Sequence, residues 1–245
     1  MFLKQSIGHF VNIGPDHEKR SEPCQDAAVA ESSGDWRLIA VSDGAGSARL
    51  SHLGSELLLK KISSALQAAE YDEEMDPLKV RSLVSNAVLD FRQDCAENSL
   101  EQNIKDFACT VVGAIISPGL EYVSFHIGDG AMVLIGEDDC VVKSLPENGE
   151  YANETYFATS ENWIEHIRFQ DGKMATGQML IAMTDGVTPF AISGATPFKE
   201  FLKPLAKFIA ENKAEMVSDA LKQTLSTGKA AGISRDDKAM AWFGC

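Results

Sequence analysis

Paired metal-binding thiols and imidazoles are missing from this sequence. It holds five cysteines and five histidines, with no Cys-x-x-Cys and no His-x-x-x-His spacing. That excludes a zinc ribbon and a thioredoxin-like redox site, and leaves oxygen atoms to hold any metal. Cys24, Cys95, Cys109, Cys140 and Cys245 are scattered and odd in number, which fits free thiols in a reducing cytosol better than a disulfide framework. No apolar run approaches the ~18 residues of a membrane span. The start, Met1 to Ser6, lacks the basic and apolar blocks of a secretion signal, so a cytoplasmic location is expected. Basic residues are scarce: 22 Lys and Arg stand against 36 Asp and Glu, a net charge of −14. This excess argues against nucleic acid or an anionic membrane as partner. It would also repel a phosphorylated substrate unless cations or a local basic pocket offset the carboxylates.

What the chain does contain is a device used twice. The apolar run Leu38-Ile39-Ala40-Val41-Ser42 stops at Asp43-Gly44-Ala45-Gly46, and a helical pattern follows at once. An Asp at the end of a buried strand is costly unless something satisfies its charge. Glycines beside it let the backbone turn sharply and let a ligand approach the main chain closely. Far downstream, Leu180-Ile181-Ala182-Met183-Thr184 ends at Asp185-Gly186. Two such strands can deliver two carboxylates to one place, a candidate metal site.

Around these devices, residues 2–13 read as a strand, followed by a polar loop from Gly14 to Pro23. Asp26–Ala30 and Trp36–Val41 form a predicted hairpin through Ser33-Gly34-Asp35. Leu50, Leu53, Leu57, Ile62 and Leu66 recur at helical spacing, and a second helix opens at Asp76-Pro77 with Val80, Val84, Val88 and Phe91 on one face. Phe107–Ile116, Glu121–Ile127, Ala131–Ile135 and Val141–Leu145 follow with short turns between them, which predicts an antiparallel meander. A polar stretch at about 146–170 is expected to form a surface flap beside the site, with strand character resuming at Trp163–Phe169 and Gln178–Met183. Helical material begins at Thr196-Pro197 and is interrupted at Pro204. A further helix spans Ala214–Leu225, and Lys238–Phe243 closes the chain as a strand. Helices in blocks around antiparallel strands predict an α+β fold, a sandwich with sheets in the middle and helix pairs outside, in a single domain over 1–245.

Asp26, Asp43, Asp129, Asp185 and the Asp236-Asp237 pair all sit at strand ends or tight turns. Singly, each is explained by turn chemistry. Together they would repel one another and hold protons, unless divalent cations bind between them. All-oxygen ligands favour magnesium or manganese.

Gln25-Asp26, Val41-Ser42-Asp43-Gly44-Ala45-Gly46, Ala108-Cys109-Thr110, Ile127-Gly128-Asp129, Thr184-Asp185-Gly186 and Ser234-Arg235-Asp236-Asp237 occur in one order along the chain. That series resembles the metal-dependent protein phosphatases of type 2C (PPM), and Pro-Cys-Gln-Asp near the N-terminus is similar to a compact bacterial branch. The resemblance runs from about Ser6 to Phe243. It implies a four-layer α-β-β-α sandwich, two stacked antiparallel sheets flanked by helix pairs. It implies two Mn2+ or Mg2+ ions, with a third possible, and a phosphorylated protein as substrate. On the family's pattern Asp43 bridges two ions and the Gly44 carbonyl binds one. Asp185 and Asp236 complete the set, Asp26 acts through bound water, and Asp129 helps to hold a weaker third ion. A hydroxide on the metals attacks phosphorus directly, which makes Asp43 and Asp185 catalytic through the water they position.

The departures are specific. Gln25 replaces a Glu common in the family, which removes one negative support for metal. Ala45 stands where eukaryotic members carry a His that protonates the leaving group. The family's phosphate-binding Arg has no clear match; Arg20 is the candidate, with Lys19 and His9 behind it. His126 reads as a packed strand residue, Thr110 as support for the sheet, and the acidic run Glu70–Glu74 as solvated. A non-catalytic binding module of the same fold and a small-metabolite phosphatase are the alternatives to a serine/threonine protein phosphatase. A monomer is favoured.

Overall fold

The computed structural model describes residues 5–70, 75–98, 103–147, 155–228 and 230–245. The acidic run at 70–74 and the middle of the expected flap therefore lie largely outside the described residues.

The strands are β1 (Ser6–Asn12), β2 (Ala27–Ser33), β3 (Trp36–Ser42), β4 (Val111–Ile116), β5 (Glu121–Ile127), β6 (Ala131–Ile135), β7 (Cys140–Ser144), β8 (Arg168–Lys173), β9 (Met179–Met183), the short pair β10 (Ile192–Ser193) and β11 (Thr196–Pro197), and β12 (Lys238–Gly244). The helices are α1 (Pro15–Arg20), α2 (Ser51–Ala68), α3 (Pro77–Asn98), α4 (Trp163–His166), α5 (Thr188–Ala191), α6 (Lys199–Glu211) and α7 (Ala214–Ser226). Two five-stranded sheets result, one ordered β1-β12-β9-β6-β7 and the other β2-β3-β4-β5-β8, antiparallel throughout.

Strand alternation sorts the core into layers. Leu38 and Ala40 of β3 pack outward against Leu58, Ile62 and Leu66 of α2 and Val84, Val88 and Phe91 of α3. Ile39 and Val41, on the other face, meet Leu180 and Ala182 of β9 and Ala239 and Ala241 of β12 between the sheets. Ile181 and Met183 pack outward again, against Leu202, Ile209, Val217 and Leu221 of α6 and α7. A sheet with two apolar faces needs cover on both, so each sheet has its partner on one side and a helix pair on the other. The expected α+β four-layer sandwich is the observed architecture.

Four local expectations are corrected. Residues 15–20, read as loop, form α1: Pro15 is set for a first helical turn, Asp16 and Glu18 lie near the start, and Lys19 and Arg20 sit near the end. The four strands from 111 to 144 are not one meander. β5 pairs with β4 and β8, whereas β6 pairs with β7 and β9. The Gly128-Asp129-Gly130 turn, which could have been a hairpin loop, thus carries the chain from one sheet to the other, with Gly128 at φ +107°. Trp163–His166 is a helical turn with Trp163 buried, and the strand starts only at Arg168. Finally, α6 begins at Lys199 and runs through Pro204. The Pro204 ring lies on the exposed face, while Leu202, Leu205, Ala206 and Ile209 bury the other.

Candidate metal centre

Sheet register alone brings the carboxylates together. In the β2–β3 ladder Ala27 faces Ser42. One step further along the antiparallel pair sets Asp26 beside Asp43, on the side that Val41 and Ala28 direct between the sheets. In the β6–β9 ladder Ala131 faces Met183, and two steps further sets Asp129 beside Asp185. Both extensions point to the same open end of the gap between the sheets.

Asp43 is held by β4's approach: its N–H donates to Thr110 Oγ1 at 3.1 Å, and Thr110 N–H donates to its carbonyl at 2.8 Å. Gly44 N–H donates to the Gln25 carbonyl at 3.1 Å. A Cβ on Gly44 would stand 2.8 Å from that oxygen and 2.9 Å from Ser51, so the position demands glycine. The second device has the same cause: a Cβ on Gly186 would enter the space of the Asp237 carbonyl oxygen. In each motif the glycine lets a neighbouring segment close against the strand end that carries the Asp.

Asp43, Asp129 and Asp185 each turn one carboxylate oxygen inward, and these three atoms lie within 4.8 Å of one another. Asp26 is buried beneath them and accepts a hydrogen bond from Thr184 Oγ1 at 2.7 Å on Oδ2. Burial pushes Asp43 and Asp26 well above the usual carboxylate range, and their mutual repulsion, with that of Asp185, pushes Asp43 further. Asp185 is raised to about 7, first by burial and then by the charges of Asp129 and Asp236. Asp185 Oδ1, Asp129 Oδ1 and Gln25 Oε1 are buried and accept no hydrogen bond from described residues. Crowded, proton-retaining carboxylates with orphaned oxygens fit a divalent cation, which would satisfy both the charge and the lone pairs. An all-oxygen donor set fits magnesium or manganese.

The other expected residues take distinct places. Asp236 is exposed and lines the same cleft of about 580 Å³, but it stands outside the 4.8 Å group. Asp129, expected at the margin, is a full member of it. Arg20 lines the cleft with its Nε bonded to Glu22 Oε2 at 2.8 Å. Lys19 and His9 do not contribute to the cleft wall. His126 is buried, with Nδ1 2.6 Å from Ser144 Oγ and 2.9 Å from Arg168 Nη2.

Two residues on or under the wall carried no functional signal in the sequence. His17 lines the cleft while only 7% exposed, its Nδ1 2.8 Å from Asp237 Oδ2. Lys238 is fully buried, and its Nζ donates to the carbonyls of Asp236 at 2.7 Å and Ser234 at 3.2 Å. The Pro15 that starts α1 was the available clue to His17: a helical turn there faces residue 17 inward.

Comparison with known proteins agrees with this geometry. Residues 13–226 match the family model described as Protein phosphatase 2C. The chain is 29% identical over 243 residues to serine/threonine-protein phosphatase 3 of Escherichia coli K12, covering 94% of each. Its fold superposes on a serine/threonine phosphatase of S. agalactiae with TM-score 0.72 at 16% identity, covering 98% of this chain and 99% of that one. It also superposes on the catalytic domain of the serine/threonine protein phosphatase PstP, solved with two manganese ions, with TM-score 0.70 at 13% identity, covering 98% and 97%.

Proposed function

The chain belongs to the protein phosphatase 2C family, and on that premise we propose that it hydrolyses phosphoserine and phosphothreonine on proteins in a divalent-metal-dependent reaction. The observation that carries the reading is the convergence of Asp43, Asp129 and Asp185 within 4.8 Å from three separate strand ends. Asp43, Asp185 and Asp236, with the Gly44 carbonyl, would hold two Mn2+ or Mg2+ ions. Asp26 would support them from beneath, and Asp129 would serve a third. Bound there, the cations supply charge neutralisation for the phosphoryl group and acidify a water for in-line attack.

The chain's own residues do the rest. Thr110 and the Gln25 carbonyl fix the Asp43-Gly44 turn, so the carboxylate is oriented before substrate arrives. Arg20 reaches the cleft on a half-exposed side chain and can turn from Glu22 to a phosphate oxygen. Burial and the charges of Asp129 and Asp236 raise Asp185 to about 7, so near neutrality a cation would compete with a proton there.

Protein stripped with a chelator should not turn over a phosphoserine peptide, and manganese should restore turnover. Full activity in the chelator would rule the proposal out. Absence of turnover with every divalent ion tried would favour a binding module of the same fold.

A further inference from the structure

The cleft needs a proton donor for a seryl or threonyl leaving group, and the Gly44-Ala45-Gly46 turn offers none, since these three residues carry no exchangeable side-chain proton. Among the described residues, His17 is the one imidazole on the cleft wall. Its orientation is fixed from behind. Asp237 Oδ1 accepts Gly14 N–H at 2.6 Å, and Oδ2 accepts Gln25 N–H at 2.6 Å. Both oxygens of Asp237 thus serve as acceptors, so the 2.8 Å contact with His17 is a bond donated by Nδ1–H. That leaves Nε2, on the opposite edge of the ring, to gain and lose a proton.

We propose that His17, held by Asp237, is the general acid that protonates the departing serine or threonine oxygen. The inference rests on the phosphatase reading above. In the step, a water oxygen bonds to phosphorus and gives one of its protons to solvent, while the bond from phosphorus to the side-chain oxygen breaks. That oxygen leaves with the electron pair and takes the proton of His17 Nε2. Phosphate and the free hydroxyl depart, the neutral imidazole takes a proton back from solvent, and Asp237 keeps its bond to Nδ1–H throughout.

The charged groups around the ring are few and mostly paired. Glu22 Oε2 is 3.7 Å from Nε2 and also accepts from Arg20. Asp16 on the same helix is paired with Arg235, and Asp236 follows on the same loop. The Cys24 thiol lies against Asp237, and burial pushes it far up, so it stays neutral. Glu22 thus lies on the Nε2 side of the ring and Asp237 on the Nδ1 side, where an Asp orients a catalytic His.

The test compares His17→Asn with wild type on a phosphoserine peptide and on p-nitrophenyl phosphate, at saturating manganese. An aryl oxide leaves without help, whereas an alkoxide needs the proton. The expected result is a loss of roughly 10²–10³ in kcat on the peptide with a change within about threefold on the aryl ester. In wild type labelled with 15N-histidine, the neutral ring of His17 should carry its proton on Nδ1, the nitrogen that faces Asp237. Equal losses on both substrates, with unchanged manganese binding by calorimetry, would overturn the assignment, as would a neutral ring with its proton on Nε2. If His17→Asn does not fold, His17→Gln takes its place with the same two substrates, and equal losses on both overturn the assignment. A wild type that turns over both substrates beside an unimpaired His17→Asn sinks this inference alone. A wild type inactive with every divalent ion sinks the phosphatase reading, and this inference with it.

Discussion

Thr155 Oγ1 donates a 2.8 Å hydrogen bond to Asp129 Oδ2. This bond ties the turn that precedes α4 to the carboxylate group, and leaves Asp129 Oδ1 as a buried acceptor with no bond from described residues. The segment at 155 and the crossover between the sheets are therefore joined at Asp129.

Thr155→Val keeps the shape and removes the donor. A hydrogen bond to a charged group contributes about 1 kcal/mol or more, so the manganese concentration for half-maximal activity should rise roughly three- to tenfold. The rate at saturating metal should hold. A manganese titration of activity reads both, and an unchanged midpoint would show that Thr155 does not act through Asp129.

The carboxylates set the pH dependence of the metal-free protein. Asp26, Asp43 and Asp185 are raised in the folded state, Asp185 to about 7. The folded chain thus holds protons that the unfolded chain releases near pH ~4. Stability should fall as pH rises from about 4 through about 7 in chelator, since the folded state binds more protons over that window. Manganese should restore it at the upper end. Asp43→Asn removes one of the crowded charges, so its metal-free Tm at pH ~8 should exceed that of wild type, while its activity falls by several orders of magnitude. Thermal melts with and without chelator at about pH 5 and 8 check the sign.

Gln25 lines the cleft, and its buried Oε1 accepts no hydrogen bond from described residues. Gln25→Glu places a negative charge there at nearly equal volume. Manganese affinity measured by calorimetry should tighten by about three- to tenfold, and the metal-free form should be less stable than wild type above neutrality. Weaker binding would mean that the position is too far from the cations to matter.

Lys238→Met exchanges a buried ammonium for a side chain of similar length. The Asp236 and Ser234 carbonyls lose a charged donor. Destabilisation of about 1–3 kcal/mol is expected from denaturant titration, together with weaker manganese binding as Asp236 loses its fixed loop. Unchanged binding with lowered stability would assign Lys238 to the fold alone.

Much of this was legible along the chain because strand ends announce themselves locally. An apolar alternation that stops at Asp-Gly reports where a strand ends and turns; that Gln25 closes against Gly44 and Asp237 against Gly186 is seen only in the fold. The helical stripes of α2, α3 and α7 were legible for the same local reason. Short polar segments were not. Pro15–Arg20 has no apolar period, yet it is a helix, because one buried His17 bonded to Asp237 anchors it. The Gly128 turn looks like any hairpin, because the residues of a tight turn do not record which sheet the next strand joins.

The order of strand-end carboxylates, the all-oxygen chemistry and the layered α+β fold were set by the sequence itself, since alternation and glycine placement act over a few residues. Which acids meet was decided only in three dimensions. Sheet register is a long-range choice made by core packing, and it places Asp129 with Asp43 and Asp185, one carboxylate oxygen of each within 4.8 Å of the others, and leaves Asp236 outside that group. The pairing of His17 with Asp237, 220 positions apart, likewise exists only once β1 and β12 lie side by side.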